Sequence, residues 1–177
     1  MPPPFKVELQ PYDPRWPLMA AAEGRFLLAM LQPAGCAVEH VGSTAIPGMP
    51  AKPIIDLLPV VTGLGAFDQR SSIVEALGYR AWGEYGLPGR RYFTKDHPIT
   101  GVRLVQLHCY ALGSLEIRRH LAFRDYLRAH ADVAGEYAEV KRRCQRAHPD
   151  DSHAYGDCKS GWIRRTEQAA LAVYRDC

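Results

Sequence analysis

The hydrophobic positions along the chain divide it into a helical opening, a strand-rich middle and a helical end. Asp13-Pro14 sets a capping side chain before a proline suited to a helix's first turn. Trp16, Met19, Phe26, Leu27, Met30 and Leu31 then recur every three to four residues, which predicts a first helix closed near Pro33-Ala34-Gly35. "CAVEHVG" reads as a short strand and "PIIDLLPVV" as a second, with enough continuous apolar bulk to lie inside a sheet. Pro59 limits the pairing near its end. Residues 64 to 77 read as a helix closed by Gly78. "YRAW" and "RRYFTK" follow as strands around the Gly/Pro-rich loop "GEYGLPG".

In the next strand, "VRLVQLHCY", side chains alternate between faces, so Val102, Leu104, Gln106 and His108 fall together. Half of that face is polar, as expected for a surface turned toward a site. From Ser114 the period becomes helical. Val133, Tyr137, Val140 and Cys144 form one apolar stripe. "HPDDSHAYGD" is expected to separate this helix from a last one over about Cys158 to Tyr174. One mixed β-sheet packed against helices accounts for all of these elements, so the expected fold class is α+β. There is no internal repeat or evident linker, and residues 1–177 are expected to form a single domain.

Composition adds little to this picture. The chain is 47% hydrophobic and 23% charged, with a formal net charge of +3. The mild basic balance favours small anionic ligands and is too weak to argue for nucleic acid. An RNA-binding face would combine basic residues with exposed aromatics, whereas many of the nine tyrosines fall at apolar positions. Cys36, Cys109, Cys144, Cys158 and Cys177 lie far apart, without a Cys-x-x-Cys pair, and read as a reduced, cytosolic set. The N-terminus lacks a signal-peptide core and the apolar runs are of strand length. The expectation is a cytoplasmic protein without a membrane partner; the oligomeric state is left open.

The candidate chemistry concentrates in "HVGSTAIPGMPAKPIIDLLPV". Gly42-Ser43-Thr44 directly follows a strand, where glycine permits close backbone approach and exposed amides with the Ser43 hydroxyl can hold phosphate. The alternative is a plain strand-ending turn. Neither the P-loop spacing nor Gly-x-Gly-x-x-Gly is present. Lys52 precedes the second strand and Asp56 lies within it, between Ile55 and Leu57. A carboxylate there is either ion-paired or exposed at a site, as a magnesium ligand or a general base.

Metal-dependent nucleotide chemistry wants a second carboxylate nearby. Asp56 is followed by Leu57 and Leu58, so there is no Asp-x-Asp pair, and Glu84 is the best distant candidate. Arg90 and Arg91 alternate into a strand, so one faces the site and the other solvent; Arg91 is taken as the phosphate contact. His108 is a second metal ligand, a catalytic group, or a satisfied structural histidine. Lys159 reaches phosphate if its helix end approaches the sheet.

Taken together these blocks are recognisable. From "PYDPRWP" through "EHVGSTAIPGMPAKPIIDLLPV", "GLPGRRYF" and "LHCY" to "RRHLAFRDYLRAHADVAGEYAEVKRR" and "YGDCKSGWI", nearly the whole chain resembles the GrpB family, whose fold is similar to nucleotidyltransferases. The resemblance aligns Gly42 and Ser43 with the Gly-Ser motif of that fold and Asp56 with the acidic strand position that follows. His108 matches the last histidine of the family's His-His-Leu-His block, where Gln106 replaces an earlier histidine. Lys159 matches the lysine of a Tyr-x-x-x-Lys segment begun by Tyr155. The resemblance implies a protein that binds a nucleotide or phosphorylated small molecule and carries out Mg²⁺-dependent nucleotidyl transfer. The alternatives are an inactive ligand-binding module, or another transferase or ligase acting on a small anionic metabolite. Asp56 and His108 would be catalytic, with Glu84 completing a Mg²⁺ site. Gly42, Ser43, Thr44, Lys52, Arg91 and Lys159 would hold phosphate. The family is also linked by fusion to dephospho-coenzyme A kinase.

Overall fold

The computed structural model describes residues 3–174. Helix α1 (Trp16–Leu31) leads into β1 (Gly35–Val41), and a 3₁₀ turn at Ser43–Ala45 precedes β2 (Ile55–Val61). Helices α2 (Leu64–Asp68) and α3 (Ser71–Ala76), strands β3 (Tyr79–Ala81), β4 (Arg90–Asp96) and β5 (Arg103–Ala111) follow. The chain closes with α4 (Leu115–Ala129), α5 (Ala131–Ala147) and α6 (Ser152–Val173).

The five strands form one mixed sheet in the order β1-β2-β5-β4-β3, with β2 and β5 parallel and the other pairs antiparallel. The two near-continuous apolar strands therefore occupy the interior, where both faces are covered. Ile55, Leu57, Val61, Val105, Leu107 and Cys109 join Trp16, Ala20, Leu27 and Leu31 in one core. Leu58, Val60 and Tyr110, on the opposite face, pack with Ile117 and Leu121 of α4. Asp56, Gln106 and His108 share that second face by strand alternation, and Asp56 pairs directly with Gln106.

Three elements differ from the sequence expectation. The helix expected over 64 to 77 is two short helices, broken where Arg70, at φ −112° and ψ 2°, leaves the helical path. The buried stripe of α1 is Trp16, Ala20, Gly24, Leu27 and Leu31, while Met19, Phe26 and Met30 are exposed. Gly24 lets the helix approach Val38, whose Cγ1 would lie 3.4 Å from an added Cβ. Helix α6 begins at Ser152, six residues earlier than expected, because the Asp151 carboxylate accepts from the amides of His153 and Ala154.

The expectation of reduced cysteines is corrected for one pair. Cys144 of α5 and Cys158 of α6 form a disulfide with a Cα–Cα distance of 5.8 Å. The turn between these helices brings together two residues 14 apart in sequence. Cys36 and Cys109 are free, and Cys177 lies outside the described residues. Among the described residues, no helix is long and apolar enough to cross a membrane.

Candidate functional site

The site begins at the junction of β1 and β2. Val41 pairs with Asp56 at the end of the antiparallel ladder, so the next residue, Gly42, passes directly over the aspartate. Gly42 has φ 71° and ψ −170°, a region open essentially to glycine alone. A Cβ on it would lie 2.4 Å from Asp56 Oδ2. Both constraints make the residue before Ser43 a glycine. Thr44 is buried beyond the turn, with Oγ1 2.9 Å from His40 Nε2. Burial, only partly opposed by the Asp56 charge, lowers the His40 pKa to about 4.

Ser43, Thr44 and Asp56 line a cavity of about 170 Å³. Its remaining polar wall is Lys52, Gln106, Lys141, Tyr155 and Lys159. The three lysines arrive from separate parts of the chain. Lys52 follows Ala51, which is bridged to Gln10 of the N-terminal segment; Lys141 comes from α5 and Lys159 from α6. Lys141 is 2% exposed and donates to the Pro50 carbonyl. The ammonium groups of Lys159 and Lys52 lie 4.1 and 5.4 Å from the centroid of the Tyr155 ring. Such cation–π contacts offset part of the desolvation of the two charges.

Burial lowers the pKa of each lysine, and for Lys141 and Lys159 neighbouring lysines add to it. Lys159 falls to about 7, chiefly by desolvation and then by the Lys52 charge, with Asp56 opposing. Lys159 is half-buried as a residue, with its ammonium group surrounded by protein. Lys141 is held well below its ordinary value by burial and then by Lys159 and Lys52. Lys52 is lowered by burial, against the pull of Asp56. Three basic groups thus share one carboxylate in a partly dry space, and the tyrosine hydroxyl of that wall, on Tyr155, is buried without a hydrogen-bond partner among the described residues. The chemistry suits an anion that supplies acceptor oxygens and negative charge at once.

Behind the cavity a second chain of contacts fixes Asp56. His108 Nε2 is 3.5 Å from Asp56 Oδ1, and Nδ1 is 3.3 Å from Arg90 Nη1. A guanidinium only donates, so His108 accepts at Nδ1 and directs its Nε2–H toward the carboxylate. Arg90 is 6% exposed and also donates to the carbonyls of Glu84 and Tyr85.

Of the residues singled out from the sequence, Ser43, Thr44, Lys52, Asp56 and Lys159 line one cavity, with Gly42 against the aspartate and His108 behind it. Arg91 does not join them. It forms a paired contact with Asp68, at 2.7 and 2.8 Å, while its neighbour Arg90 takes the inward side of β4. Glu84 accepts from the Gly89 amide at 2.7 Å and lies 3.8 Å from Arg91, closing the β3–β4 loop. Among the described residues, no three His, Cys, Asp or Glu side chains group as a metal site. One carboxylate facing three ammonium groups does not fit a resident Mg²⁺, which prefers oxygen ligands in a negative surround.

Lys141 was not singled out from the sequence, and of the two adjacent arginines the one named, Arg91, reaches Asp68 while Arg90 reaches His108. Lys141 carried a signal, since it falls four residues after Tyr137 and three before Cys144 on a buried stripe. A cation on an apolar face needs a polar destination.

Comparison with known proteins agrees with the fold. Residues 6–169 match the family described as GrpB protein. The chain is 41% identical over 165 residues to UPF0157 protein YqkA of Bacillus subtilis, covering 93% of this chain and 47% of YqkA, so it spans about half the length of that relative. It superposes on the crystal structure of conserved protein GrpB from Enterococcus faecalis with TM-score 0.88 and 38% identity, covering 96% of this chain and all of that one. A more distant likeness, with TM-score 0.52, 15% identity, and 87% and 48% of the two chains covered, is to Cid1 in complex with its short product ApU. That likeness extends to the nucleotidyltransferase fold alone. With residues 6–169 matched, nearly its full length, this chain belongs to the GrpB family.

Proposed function

We propose that this chain binds the phosphate groups of a nucleotide or other phosphorylated small molecule in the lysine-lined cavity. The observation that carries the reading is the convergence of Lys52, Lys141 and Lys159 on a space with one carboxylate. A bound anion relieves the mutual repulsion and desolvation of these groups, which Asp56 and the Tyr155 ring offset only in part. Ser43 adds a hydroxyl to the lining. The likeness in fold to Cid1, whose structure holds the product ApU, supports a nucleotide as the carrier of the phosphates.

Asp56 supports a transfer step in addition to binding. Its carboxylate, oriented by His108, would take the proton of an acceptor hydroxyl as that oxygen attacks phosphorus. The new P–O bond forms as the bond to the leaving phosphate breaks, and the lysines hold the charge that leaves. The presence of one carboxylate, where metal-assisted transfer uses two or more, favours a second reading in which the cavity binds without transfer. In either reading the lysines, not Mg²⁺, provide the charge for binding.

Calorimetric titration of ATP, GTP, CTP, UTP and inorganic tripolyphosphate, in Mg²⁺ and in EDTA, tests the proposal. Saturable binding in EDTA is expected, weakened by about tenfold or more in Lys159→Met, in line with loss of one charged hydrogen bond. No binding of any triphosphate to the folded protein would overturn it. Radiolabel transfer from a bound nucleotide, lost in Asp56→Asn with binding retained, separates transfer from binding alone.

A further inference from the structure

A second cavity adjoins the first. Lys52 and Ile54 belong to the walls of both, and the second is larger, at about 540 Å³. Its lining differs in kind. One side carries Trp82 with the Arg80 guanidinium 4.4 Å from the indole centroid, and the other carries Phe5 from the N-terminal segment. Lys52 lies 4.6 Å and Arg103 5.7 Å from the Phe5 ring.

These walls are held in place. The Trp82 indole N–H donates to the buried Thr94 hydroxyl at 2.8 Å, and its backbone amide donates to Tyr92. The Phe5 amide donates to Ser152, and Val7 donates to the Pro149 carbonyl, so the N-terminal segment is tied to the α5–α6 turn. The charges are unequally satisfied. Glu8 pairs with Lys6 and Asp96 with Arg103, whereas Arg80 and Lys52 have no ion pair among the described residues.

Resting on the phosphate-binding reading, we infer that the larger cavity is a subsite for a flat heteroaromatic ring joined to the phosphates held at Lys52, Lys141 and Lys159. Continuity through Lys52 sets the two parts of the ligand side by side. An aliphatic group would bury the Arg80 and Lys52 donors without acceptors. A polar ring presents π-faces to the Arg80–Trp82 stack and Phe5, and lone pairs at its edge to the free cations. The volume accommodates a nucleoside-sized group.

The test compares the four nucleoside triphosphates with inorganic tripolyphosphate by calorimetry on the full chain. The expected result is that at least one nucleotide binds about tenfold or more tightly than tripolyphosphate, the range a stacked base contributes. Trp82→Ala should remove most of that difference and leave tripolyphosphate affinity within about twofold, since no phosphate contact is lost. Trp82→Phe should retain part of it. If Trp82→Ala fails to fold, Arg80→Met on the exposed side of β3 makes the same comparison. Tripolyphosphate binding with no nucleotide bound more tightly, or an advantage unchanged in both variants, overturns the ring subsite and leaves the phosphate site standing. Failure of tripolyphosphate and of all four nucleotides to bind the folded protein overturns both.

Discussion

Replacing Gly42 with alanine probes the point where backbone and carboxylate meet. At φ 71° and ψ −170° an alanine occupies a region used essentially by glycine, a penalty of roughly 1–3 kcal/mol. Its Cβ would stand 2.4 Å from Asp56 Oδ2 and 3.0 Å from Asp56 Cβ. The first contact forces the carboxylate to turn, and the second meets a strand residue with little freedom to yield. For a chain of this size the backbone penalty alone lowers Tm by about 2–12 °C. Gly48→Ala is the internal control, because Gly48 also has positive φ, 76°, yet an added Cβ there meets nothing within 4 Å. Thermal unfolding followed by circular dichroism should therefore show a larger loss for Gly42→Ala than for Gly48→Ala. Tripolyphosphate binding should weaken in Gly42→Ala alone, as the displaced turn moves Ser43 from its place in the cavity. A Gly42→Ala protein that melts with wild type and binds like wild type would refute the claim that this glycine is required by Asp56.

Four further outcomes follow from the same geometry. Lys159 has a folded pKa of about 7 against an ordinary 10.5, so between these pH values the unfolded chain binds a proton that the folded chain does not. Its contribution destabilises fully below pH 7 and vanishes above 10.5; stability should rise with pH across this window, and Lys159→Met should remove up to about 1.4 kcal/mol per pH unit of that slope in urea titrations. A bound anion restores the proton, so tripolyphosphate binding at pH 8 should take up protons, read from the dependence of calorimetric enthalpy on buffer ionisation, and less so in Lys159→Met. Arg90→Met removes the donor to His108 Nδ1 and strands two loop carbonyls; a loss of about 1–3 kcal/mol and a mixture of His108 tautomers in ¹⁵N spectra are expected, whereas an unchanged Nε2–H tautomer would refute the role given to Arg90. Reducing the Cys144–Cys158 bridge opens a loop of 14-residue separation and should lower stability by about 3 kcal/mol, a change absent from the Cys144→Ser/Cys158→Ser double variant.

Local pattern determined much of this protein. The alternation and bulk of β1, β2 and β5 mark the sheet, and the period of the last 60 or so residues marks helices, because burial repeats with the geometry of the element that carries it. Asp56 between Ile55 and Leu57, next to Gly-Ser-Thr, was legible as a site because a carboxylate in a core strand needs a reason. Tertiary structure decided what those signals meet. Arg90 and Arg91 are equivalent in sequence, and only the docking of β4 beside β5 turns one to His108 and leaves the other for Asp68. The extra turns of α6, capped by Asp151, carry Tyr155 and Lys159 on one face and set Cys158 within reach of Cys144. Lys52, Lys141 and Lys159 are separated by up to 107 positions and no local rule relates them. They become one site because α5 and α6 pack with α4 and with Ile46 and Met49 of the segment that joins β1 to β2, and charge, unlike hydrophobic period, acts through space and not along the chain.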